Sequence, residues 1–329
     1  MEIAFFKKRS LKQYIPQLFI LLFFCIINAS TLDVVAVFRS YESGSDQLFQ
    51  SIKAKLSGQY SIYDMIITSN SKSNEFDFAI RRWNPSLVIL IGNFSVNLYA
   101  SFQNKLPEQS RKLPSLLIAT TQNAHLNSRI PNSTVINLDV PISTSLLAMQ
   151  SVYRTRLKNP GILHSNSFNT EVEFGKELLR RNSICLSNIV TSKKRAVLPA
   201  QIQEGMSRLL DTIRIDCLIL PNDPELFTID LLPIWQSCLN QSGLPVISNC
   251  TANNIDTCNF VSCTILPDTL EVASLVVRKI NQIKANGWKA IPPEIDHIIS
   301  IKKIANLKCI RQIGNISSDI FKIFDDFIE

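Results

Sequence analysis

The chain has 329 residues, 46% of them hydrophobic and 19% charged. That composition excludes a disordered chain and gives room for two domains, each burying its own core. The net charge is +7, of which Lys7, Lys8, Arg9 and Lys12 against Glu2 supply +3. The one dense basic cluster beyond them, Lys193-Lys194-Arg195, lacks interleaved aromatics and reads as a solvated turn, so a nucleic-acid-binding face is excluded.

The amino terminus has the order of a secretory signal: a basic stretch at 7–12, an apolar run at 18–27, then Asn28-Ala29-Ser30. The run is shorter than the roughly 20 residues of a membrane-spanning helix. Phe23 and Phe24 precede Cys25, where lipid modification would want a small residue. Cleavage is expected after Ala29 or Ser30, leaving a mature periplasmic chain; an uncleaved anchor is the alternative.

Strands and helices then alternate. Strands are predicted at 32–38, 61–68, 87–91, 115–119 and 134–139, with helices at 47–56, 76–83 and 96–104. The stretch 138–169 carries the chain into a second series. Pro141 breaks the strand, a helix capped by Ser143 or Thr144 runs to about 156, and Asn159-Pro160-Gly161 turns into a strand at 162–164. There follow helix 172–181, strand 185–190, helix 200–213, strand 217–220, helix 226–241, strands 245–248 and 260–264, and a long helix 270–286 stopped by Gly287. The tail reads as a strand at 294–301 and a short helix at 302–306. This pattern predicts an α/β fold of two Rossmann-like lobes with mostly parallel sheets.

Ligands bind at the carboxyl ends of such strands. The residues placed there are Ser40, Tyr41, Gly92, Asn93, Thr120, Thr121, Ser165, Asn166, Asn222, Asp223 and Asn249. Their short hydroxyl and amide groups suit a polar small molecule, and the same residue types also favour turns and caps. No nucleophile elbow, dinucleotide fingerprint or phosphate loop is present. His164 is a candidate base, with Ser40 or Ser248 as its nucleophile; Asp223 could serve as an acid or base, though Pro221 and Pro224 beside it point first to a turn; no paired carboxylates stand out, and no cofactor or metal is expected. Cys217 reads as a small buried hydrophobe. An oxidising compartment permits one or two bridges among Cys238, Cys250, Cys258 and Cys263.

Several of these segments resemble the substrate-binding proteins of ABC-type transporters, in their tryptophan/tyrosine-binding class. The resemblance lies in the Leu-Asp-Val-Pro run before Gly161-Ile162-Leu163, in IDCLILPNDPELF (215–227), in GLPVIS (243–248), and in a tail carrying Gly287, Ile291-Pro292-Pro293 and a strand at 298–301. It covers most of the mature chain. It implies a type I periplasmic-binding-protein fold joined by three crossovers, near 139–141, 267–269 and 291–293. The lobes would then be 31–140 with part of 268–292, and 141–267 with part of 293–329. The implied function is non-enzymatic: a monomer capturing a small polar, amino-acid-like solute for a membrane permease. The alternative is a sensory or receptor-associated module on the same fold. Family members usually place Gly-Ala after the strand at 245–248, where this chain has Asn249-Cys250.

Overall fold

The computed structural model describes residues 32–41, 44–107, 113–119, 130–153, 156–192, 195–223, 225–240, 242–250, 259–291, 296–297, 300–313 and 319–328. The predicted signal segment, Thr120, Thr121, Lys193, Lys194, Cys258, Pro292 and Pro293 lie outside the described residues.

The first series is β1 (Val34–Ser40), α1 (Ser45–Leu56), β2 (Ser61–Ile67), α2 (Asn74–Trp83), β3 (Leu87–Ile91), α3 (Asn93–Gln103), β4 (Ser115–Ala119) and β5 (Ser133–Asn137). The second is α4 (Ile142–Met149), β6 (Pro160–Ser165), α5 (Asn169–Arg180), β7 (Ser187–Thr191), α6 (Leu198–Ser207, continuing as a π-helical turn at Arg208–Ile213), β8 (Cys217–Leu220), α7 (Leu232–Leu239), β9 (Val246–Ser248) and β10 (Cys263–Pro267). The tail adds α8 (Thr269–Ala285), β11 (Asp296–His297), β12 (Ile301–Asn306), α9 (Leu307–Ile313), α10 (Ile320–Ile323) and β13 (Asp326–Ile328).

Two separate sheets result, ordered β11-β5-β4-β3-β1-β2 and β13-β12-β10-β9-β8-β6-β7. Every pairing is parallel except β10 with β12. Helices cover both faces, so the central strands are largely apolar, and all five residues of β3 are apolar and buried. Alternate side chains feed two cores. Val35, Val37, Leu87 and Ile89 meet Phe49 of α1 and Val276 of α8. Ala36, Phe38, Val88 and Leu90 meet Phe76 and Tyr99. The second sheet is treated likewise, with Ile162 and Ile219 on one side and Leu163, Leu218 and the fully buried Trp235 on the other.

The helix α8 therefore belongs to the first lobe although it follows the second in sequence. The chain crosses between lobes after β5, after β10, and again between His297 and Ile301. This last passage lies later than the 291–293 expected, because β11 keeps the chain on the edge of β5 as far as His297.

Three elements depart from the sequence reading. The helix expected to reach 156 ends at Met149 and begins behind Pro141, with Ser143 and Thr144 inside its first turn. Gln150 explains the stop: its side-chain amide donates to the Leu157 carbonyl at 2.7 Å and accepts the Leu157 N–H at 3.2 Å, closing a loop that buries Val152 and Tyr153. The helix expected from 226 starts at Leu232, since Pro233 lacks an N–H and fits only a first turn. The residues before it form turns, with Trp235 Nε1 donating to the Leu226 carbonyl at 3.0 Å. The tail helix expected at 302–306 is instead β12: the open edge of β10 offers a full ladder, and pairing outweighs local preference. Cys238 and Cys263 are free thiols. Cys217 is fully buried, as expected of a small hydrophobe.

Candidate functional site

The first crossover runs from the carboxyl end of β5 past the loops that follow β8 and β9. It leaves β5 at Asn137, and the residues that follow are held by loops after β8 and β9. Asn222 Nδ2 reaches Asp139 Oδ1 at 3.4 Å, and Asn249 Nδ2 donates to the Val140 carbonyl at 2.9 Å. The crossover leaving β5 is thus held along a seam by the loops after two second-lobe strands.

On the first-lobe side, Ser40 closes β1 and is buried. Its hydroxyl accepts the Ser95 N–H at 2.9 Å and its carbonyl accepts the Ser45 hydroxyl at 2.6 Å, so it ties the starts of α1 and α3 to the strand end. Gly92 makes the turn into α3 at φ 88°, ψ 157°, a region that only glycine enters without strain. Asn93 follows, half-buried, in the first turn of α3. Tyr41 is 82% exposed.

On the second-lobe side, Ser165 closes β6 and donates its N–H to Asp223 Oδ2 at 2.7 Å, while Asp223 Oδ1 accepts the Glu225 N–H at 3.0 Å. Asp223 is 1% exposed, and these charge-assisted bonds replace the water it loses. The Ser165 hydroxyl lies 2.5 Å from that of Ser167, which donates to Glu225 Oε1 at 3.3 Å. Asn166 is exposed between them. Asn249 is buried, with the Ser145 hydroxyl donating to its Oδ1 at 2.8 Å and its own N–H on the Leu220 carbonyl at 2.9 Å.

The residues named from the sequence therefore divide. Ser40, Ser165, Asp223 and Asn249 build the edge from inside; Tyr41, Asn93, Asn166 and Asn222 lie at its surface. Sequence reasoning did not place Asp139, Glu225 or Ser145 here. The spacing of Asn137 with Asp139, and of Asp223 with Glu225, was a usable signal: Asn and Asp side chains commonly bond the backbone two residues on, and both do so here, at 3.0 Å.

His164 is fully buried. Its Nδ1–H donates to the Ser165 carbonyl at 2.9 Å, leaving Nε2 to accept from Asn188 Nδ2 at 3.1 Å. Burial lowers its pKa from the usual 6.5, against the opposing pull of the Ser165 carbonyl and Asp223. Both ring nitrogens are engaged. Ser40 bonds Ser95, and the Ser248 hydroxyl accepts the Cys250 N–H at 3.0 Å, so neither hydroxyl is among the partners of His164. Among the described residues no cluster of metal-ligating side chains occurs, and no helix is long and apolar enough to cross a membrane.

No family model matches the chain, and no curated protein matches it in sequence. Solved structures do match in fold. A ligand-free, open substrate-binding protein with adhesive properties from Clostridium difficile superposes with a TM-score of 0.65 at 12% identity, over 91% of this chain and 99% of that one. An ABC domain from Streptococcus pneumonia in complex with L-Trp gives 0.59 at 16% identity, over 89% and 100%. A LacI family transcriptional regulator from Bifidobacterium animalis gives 0.50 at 14% identity, over 82% and 95%. The chain has the type I periplasmic-binding-protein fold, the fold of the substrate-binding proteins of ABC transporters.

Proposed function

We propose that the chain is an exported, non-enzymatic solute-binding protein that captures a small polar, amino-acid-like molecule between its lobes and presents it to an ABC-type membrane permease. The observation that carries this reading is the seam itself, where the crossover leaving β5 lies against the loops after β8 and β9 and amides and carboxylates gather. Asp139 and Glu225 are partly exposed and suit an ammonium group; Asn93, Asn166 and Asn222 suit the hydrogen-bonding groups of a polar solute. The similar Streptococcus protein was crystallised with L-Trp, which supports an amino-acid-like solute. In this reading the protein acts as a monomer in the periplasm, and its lobes close over the solute by a hinge motion.

One observation favours the sensory or receptor-associated alternative. Where relatives of the resembled class carry glycine, Asn249 fills the seam with a side chain bonded to the crossover. A thermal-shift screen of amino acids and small metabolites on the mature chain separates the two readings. A bound solute is expected to raise the melting temperature, with about 2.7 kcal/mol of stabilisation at a hundred times its dissociation constant. A melting temperature unmoved by every compound would favour the alternative.

A further inference from the structure

In a parallel α/β lobe each helix runs back from the carboxyl edge of the sheet to its amino edge, so the helix ends gather at one pole. In the first lobe the charges sort along that direction. The helices α1, α2 and α8 carry acids in their first turns: Asp46, Glu75 with Asp77, and Glu271. Their last turns carry bases alone: Lys53 with Lys55, Arg81 with Arg82, and Lys284. Lys289 adds a cation in the segment after α8. Hydrogen bonds fix these ends to the amino edge. The Lys284 ammonium meets Asp33, just before β1, at 2.7 Å. Past α1, Ser61 donates its N–H to the Asp33 carbonyl at 3.0 Å; past α2, Ser86 donates to the Val34 carbonyl at 2.8 Å. Ala290 donates to Asn132 Oδ1, just before β5, at 2.6 Å.

The helix dipole favours a cation at each C-terminal turn, and half of these cations are also engaged within the lobe. Lys284 bonds Asp33, Arg81 bonds Asp77 at 3.0 Å, and Lys53 leans over the Phe49 ring at 5.7 Å. Lys55, Arg82 and Lys289 are exposed, and their side chains have no ion pair among the described residues. In the described turns of this edge Asp33 is the one carboxylate. The second lobe is different: Glu177 pairs with Arg180 and Arg181 at 3.3 and 3.6 Å, and Asp211 shares a turn with Arg208. From β2 to β5 the first sheet's edge spans four strand spacings, about 19 Å. Cations spread along such an edge do not converge on one small anion, but they match an extended layer of headgroups. The leader joins the lobe at this same pole. Its apolar run at 18–27 is followed by 28–31 and then by the exposed Leu32, and four residues span at most about 14 Å.

We propose that the amino pole of the first lobe is a docking surface for the anionic phospholipid headgroups of the membrane, engaged through Lys55, Arg82 and Lys289. The surface belongs to the mature chain, so it acts whether or not the leader stays attached. It goes beyond the solute-binding reading and does not depend on it.

The mature chain, without leader or tag, is sedimented with vesicles of phosphatidylcholine alone and of phosphatidylcholine mixed with phosphatidylglycerol. Wild type should bind the anionic vesicles only, and rising salt should release it. Each basic side chain near an anionic surface strengthens partitioning about five-fold, so Lys289→Gln alone should weaken it by about that factor. Lys55→Gln, Arg82→Gln and Lys289→Gln together should weaken it about 100-fold. The charge-matched control, Arg180→Gln, Arg181→Gln and Arg208→Gln together, lowers net charge equally on the other lobe and should change partitioning by about two-fold or less. All six side chains are exposed, so both triples should melt as wild type does, which separates lost docking from lost folding. Equal losses in the two triples would overturn the proposal by showing an effect of net charge without a pole. Wild type free of the anionic vesicles at low salt, or bound equally to the uncharged ones, would overturn it too. Retention on immobilised polyglutamate with none on vesicles would assign the pole to an acidic protein instead. No arm contains a solute, so the result stands apart from the thermal-shift screen.

Discussion

Asp223 and His164 lie near each other beneath the second lobe's edge, and each is buried for a different reason. The Asp223 side chain accepts two backbone N–H groups. Asp223→Ala would leave both donors without partners and should cost about 2–3 kcal/mol, read from denaturant melts. His164 is held neutral, its pKa lowered chiefly by burial, with Asp223, Glu173 and Lys176 as the charged groups acting on it. The unfolded chain takes up this proton at the ordinary value of 6.5, before the folded chain does. The contribution of His164 to stability is therefore present above pH 6.5 and lost as pH falls below it, levelling once the folded imidazole titrates. Melting temperatures should drop between pH 7.5 and 5.5, and His164→Asn should flatten that slope. The sequence placed both residues at strand ends. It could not tell an inward carboxylate from one facing solute, because the partner of Asp223 is a strand end 58 residues away.

At the level of elements, strands were the most legible. The bounds of β3 and β8 coincide with their apolar runs, since a parallel strand buried on both faces offers few polar positions to blur its ends. What escaped were elements decided at long range: the Gln150 side chain that stops α4, and the unpaired edge of β10 that recruits β12. Close packing between elements gives a further test. A Cβ on Gly161 would lie 2.7 Å from Cδ1 and 2.8 Å from Cγ2 of Ile215, a branched side chain unable to turn both atoms aside. Gly161→Ala should destabilise the fold by about 1–3 kcal/mol even though alanine suits a strand better than glycine. An unchanged or raised melting temperature would show that β6 has slack against Ile215.

For the whole molecule, the two-lobe plan was legible because the strand–helix alternation restarts after Pro141. The return of α8 was implied by resemblance alone, as nothing in its amphipathic pattern says which sheet it covers. In the structure Val272, Val276, Ile280 and Ile283 close the face of the first sheet formed by Val35, Val37 and Ile89. A fragment covering 31–141 should therefore fail to fold, binding an apolar dye and lacking a cooperative melt. A cooperative transition in that fragment would mean β1–β5 hold together without α8.

This arrangement also orders events on the ribosome. Synthesis delivers β1 to β5 first, yet the residues that roof them emerge only after β6 to β10 are available to associate with one another. The lobe begun earliest waits for its roof until most of the other has been made. Until then α1 alone covers the face of Val35, Val37 and Ile89, and the part left open is a binding patch for a holdase that disappears when Val276 and Ile280 arrive.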